Sequence, residues 1–143
     1  LGFINQRSRD NSRTPFPWSK SPNGGFNQGA QPWLAFSSTD FSVNAQSQIN
    51  DAQSVFSFYR TMIALRNRHY PQALIYGSFA AIEEVDDRIV AYERTTETER
   101  FISITNLSAQ PLPFTLPAGE IVLNNYADAG ATLKPYQTIL VKE

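Results

Sequence analysis

The chain of 143 residues contains no cysteine, a single histidine and a single methionine. Without cysteine there is no disulfide framework, no thiolate metal site and no thiol nucleophile. That composition suits a reducing, cytoplasmic setting. The one histidine, His69, has no second histidine and no cysteine to share a metal with, so it reads as a helix-end residue. Charge is also scarce: Asp, Glu, Lys and Arg make up 17% of the chain and the formal net charge is −1. Such a balance gives no electrostatic reason for a nucleic-acid or anionic-membrane partner. No apolar run reaches the length needed to span a bilayer, and no signal-peptide pattern opens the chain. G-x-S-x-G elbows, phosphate-cradling glycine loops and metal-ligand spacings are missing as well. The chain starts at Leu1, and its only methionine, Met62, falls inside a helix candidate, so a piece of a longer polypeptide is expected.

What is present is enough for a core. Apolar residues make up 41% and aromatic residues 13% of the sequence, which supports one domain with an appended segment. From about Ser19 to Ser47 the chain is rich in Ser, Asn, Gln, Gly and Pro and holds no period, the signature of a long irregular connection. Asn50, with Gln53 three residues later, has the form of a capping box. Val55, Phe58, Tyr59, Met62 and Leu65 then recur at helical spacing, which predicts an amphipathic helix to about His69, stopped by Pro71. Beyond it the period becomes that of strands: Ala73–Phe79, Ile82–Val85, Arg88–Arg94, Arg100–Leu107, Leu112–Leu116, Glu120–Asn124 and Tyr136–Lys142. In Arg100–Leu107, Ile102 and Ile104 share one face while Ser103 and Thr105 share the other. Short strands at regular spacing predict an antiparallel β-sandwich.

The richest chemistry lies in Arg7–Trp18, RSRDNSRTPFPW, where three arginines stand among an aspartate, an asparagine and a tryptophan. Guanidinium groups offer a planar fork of donors suited to paired sugar hydroxyls, carboxylates or phosphates. Pro15 and Pro17 favour an extended course over Arg13–Trp18. Read from residue types alone, the stretch is equally a solvated surface loop. Trp18, Trp33 and Phe26 have broad apolar faces that suit either sugar stacking or anchoring of the loop. Glycosidic hydrolysis would require two carboxylates flanking the bond. The acidic cluster Glu83, Glu84, Asp86, Asp87 surrounds a hairpin turn and reads as solvated, as do Glu93, Glu97 and Glu99.

Arg9-Asp10-Asn11-Ser12-Arg13-Thr14-Pro15-Phe16-Pro17-Trp18, followed by Asn23-Gly24-Gly25-Phe26 and Pro32-Trp33, resembles a segment of the oligo-1,6-glucosidase group of glycoside hydrolase family 13. Pro17 stands where that pattern usually has Gln, and Ser19-Lys20 where it usually has acidic residues. The resemblance extends over essentially the whole chain but only over the last portion of such an enzyme. It implies that residues 1–71 are the end of a (β/α)8 catalytic barrel, with a substrate-side loop and the last helix. Residues 72–143 would be a C-terminal β-sandwich domain, making the piece mainly β. By position, Arg9 would be the substrate-binding residue, helping to hold the glucosyl ring. The nucleophile, the acid/base and the transition-state-stabilising carboxylate would lie upstream, so no catalytic residue is expected here. Neither a metal nor a cofactor is implied. The partners would be an α-glucosidic oligosaccharide, reached through the parent enzyme, and the missing N-terminal barrel. The parent would hydrolyse short oligosaccharides with retention, and the isolated piece would be inactive. The alternative is a stand-alone carbohydrate-binding β-sandwich module that uses Trp18, Trp33 and Phe26.

Overall fold

A computed structural model describes residues 13–29 and 31–143. The chain divides into two compact units, Leu1–Ser57 and Phe58–Glu143. The division falls within the helical segment that precedes the sheet.

The described residues of the first unit are largely irregular and are tied together by backbone hydrogen bonds. Asn23, Gly24 and Gly25 take φ of 53°, 59° and 69°, making a tight left-handed turn. Gly24 is buried there, and a Cβ on it would stand 3.2 Å from the Phe36 ring and 3.3 Å from that of Phe41. The amides of Trp18 and Ser19 donate to the Gly24 carbonyl at 2.7 and 2.9 Å. A short helix, α1 (Ala45–Ile49), follows. Its first amides are satisfied by the preceding chain: Ala45 donates to the Pro17 carbonyl and Gln46 to that of Trp18, while the Asn44 side chain accepts from the Ser47 amide at 3.0 Å. This is the N-cap arrangement that satisfies donors lacking an intrahelical partner.

The expected cap at Asn50 is therefore corrected. Asn50 closes α1, and the next helix, α2 (Val55–Ala64), starts one turn later. Ser54 does the capping, with its Oγ accepting from the Ser57 amide at 3.1 Å, while Gln48 Oε1 accepts from the Phe56 amide. Sequence spacing favoured Asn50-x-x-Gln53, but the Asp51 side chain instead binds the Gln53 amide and bends the chain into a turn.

The second unit begins within α2, at Phe58; the helix widens into a π-helical turn at Leu65–His69, where the Tyr70 amide reaches back to the Leu65 carbonyl at 2.9 Å. Tyr70 breaks the helix with φ −133°. Pro71 then opens a second turn, Gln72–Tyr76, since a proline lacks only an amide that the first turn cannot use. The first strand expected at Ala73–Phe79 is thus mostly helical turn. Gly77 explains the change of course, because a Cβ there would lie 2.5 Å from the Ala73 carbonyl oxygen and 2.8 Å from that of Thr95.

Seven antiparallel strands follow: β1 (Ser78–Ala81), β2 (Ile89–Thr95), β3 (Arg100–Asn106), β4 (Leu112–Pro113), β5 (Glu120–Asn124), β6 (Thr132–Leu133) and β7 (Thr138–Lys142). Five of them form one sheet in the order β1-β2-β3-β7-β5, and β4 pairs with β6 in a second, two-stranded sheet. The mainly β, antiparallel architecture agrees with the sequence reading. Two details differ. Ile82–Val85 is loop rather than strand, and Glu120–Asn124 pairs with β7 rather than returning on Leu112–Leu116.

Register decides which side chains share a face. Ala91 pairs with Ile104, and Ile104 with Ile139. With Ile89, Ile102 and Val141 they form a buried cluster that Leu112 and Leu133 of the small sheet close from above. Each such fully buried aliphatic side chain contributes about 1.5–3 kcal/mol of transfer free energy, so this layer is the main source of stability. The intervening residues Tyr92, Arg94, Phe101, Ser103, Thr138 and Leu140 point to the opposite face, which carries a cleft in the second unit.

Candidate functional site

Arg9, the substrate-binding residue expected from the sequence, lies outside the described residues, as do Arg7 and Asp10. Of that stretch, Arg13–Trp18 is described and has no regular secondary structure. Trp18 packs edge-on against Phe16 with ring centroids 4.9 Å apart, and its carbonyl and amide are both engaged with the first unit's backbone. Phe26 packs on Phe36, which in turn meets Phe41. Trp33 is 96% exposed. Among the described residues the ring contacts thus tie Trp18 and Phe26 into different pairs. No stacking platform joins the three aromatics that the alternative reading requires, and Phe26 serves to anchor the loop.

Asp86, Glu93 and Glu99 are held in ion pairs with basic side chains. Arg88 donates from Nε and Nη2 to the two oxygens of Asp86, at 2.8 and 2.7 Å. These bonds, with the Arg88 amide, hold the Asp86 carboxyl far below the usual range. Glu93 pairs with Arg100 at 2.6 Å, and Glu99 with Lys142 at 3.0 Å. Arg100 and Lys142 are both held above their ordinary values, chiefly by the hydrogen bonds to these carboxylates. A carboxylate neutralised by a surface arginine is poorly suited to act as a general acid near neutrality, where the task requires a raised value. His69 is exposed beside Tyr70, and among the described residues no cluster of His, Asp and Glu has metal-site geometry.

The cleft of the second unit has a volume of about 580 Å³. Its floor is the outer face of the sheet, with Phe79, Tyr92, Phe101 and Leu140, and its wall is Met62, Ile63, Leu65 and Leu74 from the helical segments. Phe79 and Tyr92 pack with centroids 5.3 Å apart. Arg94 is fixed against the second helical turn by bonds to the carbonyls of Ala73 and Ile75, and Thr138 shares a hydroxyl bond with Thr105 at 3.1 Å. Among the described residues, no aspartate or glutamate lines this cleft. Its lining is mostly apolar, with Arg66, Asn67, Arg94, Ser103 and Thr138 as its polar residues, and among the described residues it lacks the paired carboxylates of glycoside hydrolysis. The sequence reading did not anticipate the cleft. Its only linear trace is the alternation Phe101, Ser103, Thr105, and the partners across the sheet appear only once the register is known.

Comparison with known proteins places these features in context. Residues 2–77 match the model of the alpha-amylase catalytic domain. An alpha-glucosidase from Schizosaccharomyces pombe is 38% identical, the match covering 99% of this chain and 26% of that protein. An oligo-1,6-glucosidase from Parageobacillus thermoglucosidasius is 36% identical over 86% of this chain and 22% of its own length. Among solved structures, an isomaltulose synthase from Klebsiella sp. LX3 superposes with a TM-score of 0.83 at 35% identity, covering 94% of this chain and 26% of that one. The chain therefore spans about a quarter of the length of the relatives it matches. Among the described residues, no helix is long and apolar enough to cross a membrane.

Proposed function

The chain belongs to the alpha-amylase family of glycoside hydrolases, and we propose that it is the C-terminal portion of an α-glucosidase-type enzyme. In this reading residues 1–71 close the catalytic barrel and residues 72–143 form the β-sandwich domain that follows it. The parent cleaves α-glucosidic bonds of short oligosaccharides with retention, in a cytoplasmic setting.

The observation that carries the proposal is a pairing of presence and absence. The chain matches an alpha-glucosidase along 99% of its own length, yet among the described residues no carboxylate lines the cleft of its second unit. A retaining glycosidase needs one carboxyl group as acid and another as nucleophile. Those groups are accordingly assigned to the part of the enzyme that this chain does not span. Arg9 is proposed to contribute a single contact, its fork of donors meeting hydroxyls of the glucosyl ring. Arg9→Ala in the longer polypeptide tests that role. Loss of a charged hydrogen-bond donor from a bound sugar predicts a fall in kcat/KM of about tenfold or more. An unchanged value removes Arg9 from the site.

A further inference from the structure

Asn106-Leu107-Ser108, where β3 ends, has the Asn-x-Ser form of an N-glycosylation acceptor. No other asparagine of the chain is followed by Ser or Thr at the second position. Glycan-bearing asparagines lie on surfaces, because the sugar is bulky and polar. Here Leu107 is 59% exposed, whereas Asn106 is wholly buried. The triplet reaches the surface while its acceptor turns inward.

The groups around Asn106 fix which atom is which. Its Oδ1 accepts from the Ser108 amide and from the Ser108 hydroxyl, both at 2.8 Å. Its Nδ2 donates to the carbonyls of Gln110 and Lys134 at 2.7 and 3.0 Å, with the Leu133 carbonyl at 3.5 Å. A side-chain amide nitrogen has two hydrogens, and both are taken. An N-linked sugar replaces one of them. A C–N single bond of about 1.45 Å laid along either hydrogen bond leaves the anomeric carbon within about 1.6 Å of a carbonyl oxygen, far inside van der Waals contact. Swinging the side chain outward instead would orphan backbone groups of the loops that close the core.

We propose that Asn106 is an N-glycan acceptor only while the chain is unfolded, and that its glycosylation and the folding of the second unit exclude one another. In the transfer, Nδ2 attacks the anomeric carbon of a lipid-pyrophosphate-linked oligosaccharide. The C–N bond forms, the C–O bond to the pyrophosphate breaks, the lipid pyrophosphate leaves with the electron pair, and Nδ2 gives up one proton. The inference goes beyond the α-glucosidase reading and does not rest on it. It gives the cytoplasmic setting a physical reason, because a chain folded there buries Asn106 without meeting the transferase.

The test is expression of the chain in a eukaryotic host, once in the cytosol and once behind a cleavable secretion signal. Glycosylation is read as a mass increase on the Asn106 peptide that peptide-N-glycosidase removes, and folding as resistance to limited proteolysis. Ser108→Ala keeps Asn106 and the amide bond to its Oδ1 but removes the hydroxyl that the transferase requires. Ser108→Thr keeps an acceptor. Glycan is expected on the secretory wild-type and Ser108→Thr chains, and none on Ser108→Ala or on the cytosolic chain. Glycosylated molecules should be cut at least about tenfold faster than Ser108→Ala from the same compartment. Glycosylated chains as resistant as Ser108→Ala overturn the proposal, because the fold would then accommodate the sugar. Absence of glycan from both the secretory wild-type and Ser108→Thr chains overturns it as well. So does a secretory Ser108→Ala chain cut as fast as the glycosylated wild type, because the sugar would not then be what prevents folding. Turnover of a glucoside enters none of these readouts, so their failure and that of the α-glucosidase reading are separate.

Discussion

The Arg94 guanidinium donates to the Ile75 carbonyl at 2.6 Å across a sequence separation of 19 residues. It joins the central sheet to the helical turn that precedes it, and a longer bond from Nε reaches the Ala73 carbonyl. Charged donors to backbone carbonyls stabilise more than neutral ones. Arg94→Met keeps the aliphatic stem and deletes both bonds, so a loss of about 2 kcal/mol is expected in chemical denaturation. Because Ala73 is wholly buried, the same variant should speed amide exchange in residues 72–77. Unchanged stability and exchange would show that the turn is held by packing alone.

Asn106 is the counterpart of that clamp at the other end of β3. It is fully buried, donates to the carbonyls of Gln110 and Lys134 at 2.7 and 3.0 Å, and accepts from the Ser108 amide at 2.8 Å. Its side chain thereby satisfies backbone groups of both loops that cover the core. Asn106→Leu fills the same volume but orphans those groups, and a cost of roughly 3 kcal/mol in unfolding free energy is expected. A variant as stable as the parent would mean that water replaces all of these bonds.

Asp86 gives a prediction about protonation. Arg88 holds its carboxyl well below the ordinary range, so its folded value is depressed relative to the unfolded chain. For a depressed carboxylate, the stabilisation is fully present above the unfolded value, about 3.9, and is lost as pH falls through the folded one. An NMR titration should find Asp86 still ionised where an unperturbed aspartate is half protonated. Arg88→Gln should return it toward the ordinary value. An Asp86 that titrates normally with Arg88 in place would contradict the bidentate pair. The group is a solvent-exposed turn residue, so little change in global stability is expected.

The sequence made the alternation of β3 legible because Ile102 and Ile104 alternate with Ser103 and Thr105, and a period of two survives any choice of neighbours. It did not reveal the cleft on the other face, because Phe79, Tyr92, Phe101 and Leu140 meet only through the pairings β1-β2-β3-β7. Helix ends were also hard to locate. Asn50 and Ser54 both suit a cap by residue type, and the Asp51 side chain, by binding the Gln53 amide, bends the chain so that α2 starts from Ser54. Ala73–Tyr76 looked like strand from its apolar run, but Gly77 admits the close backbone approach that a turn needs. The motif around Arg9 pointed to the family through its length and order, while its residue types alone fitted a solvated loop equally well.

The central claim is that this chain belongs to an α-glucosidase without containing its catalytic carboxylates. The most direct test is hydrolysis of p-nitrophenyl α-glucoside, measured with the purified chain and with the longer polypeptide that carries it. The account predicts turnover by the longer polypeptide and none above background by the chain alone. Sustained release of p-nitrophenol by the chain alone, abolished by a substitution within it, would contradict that account.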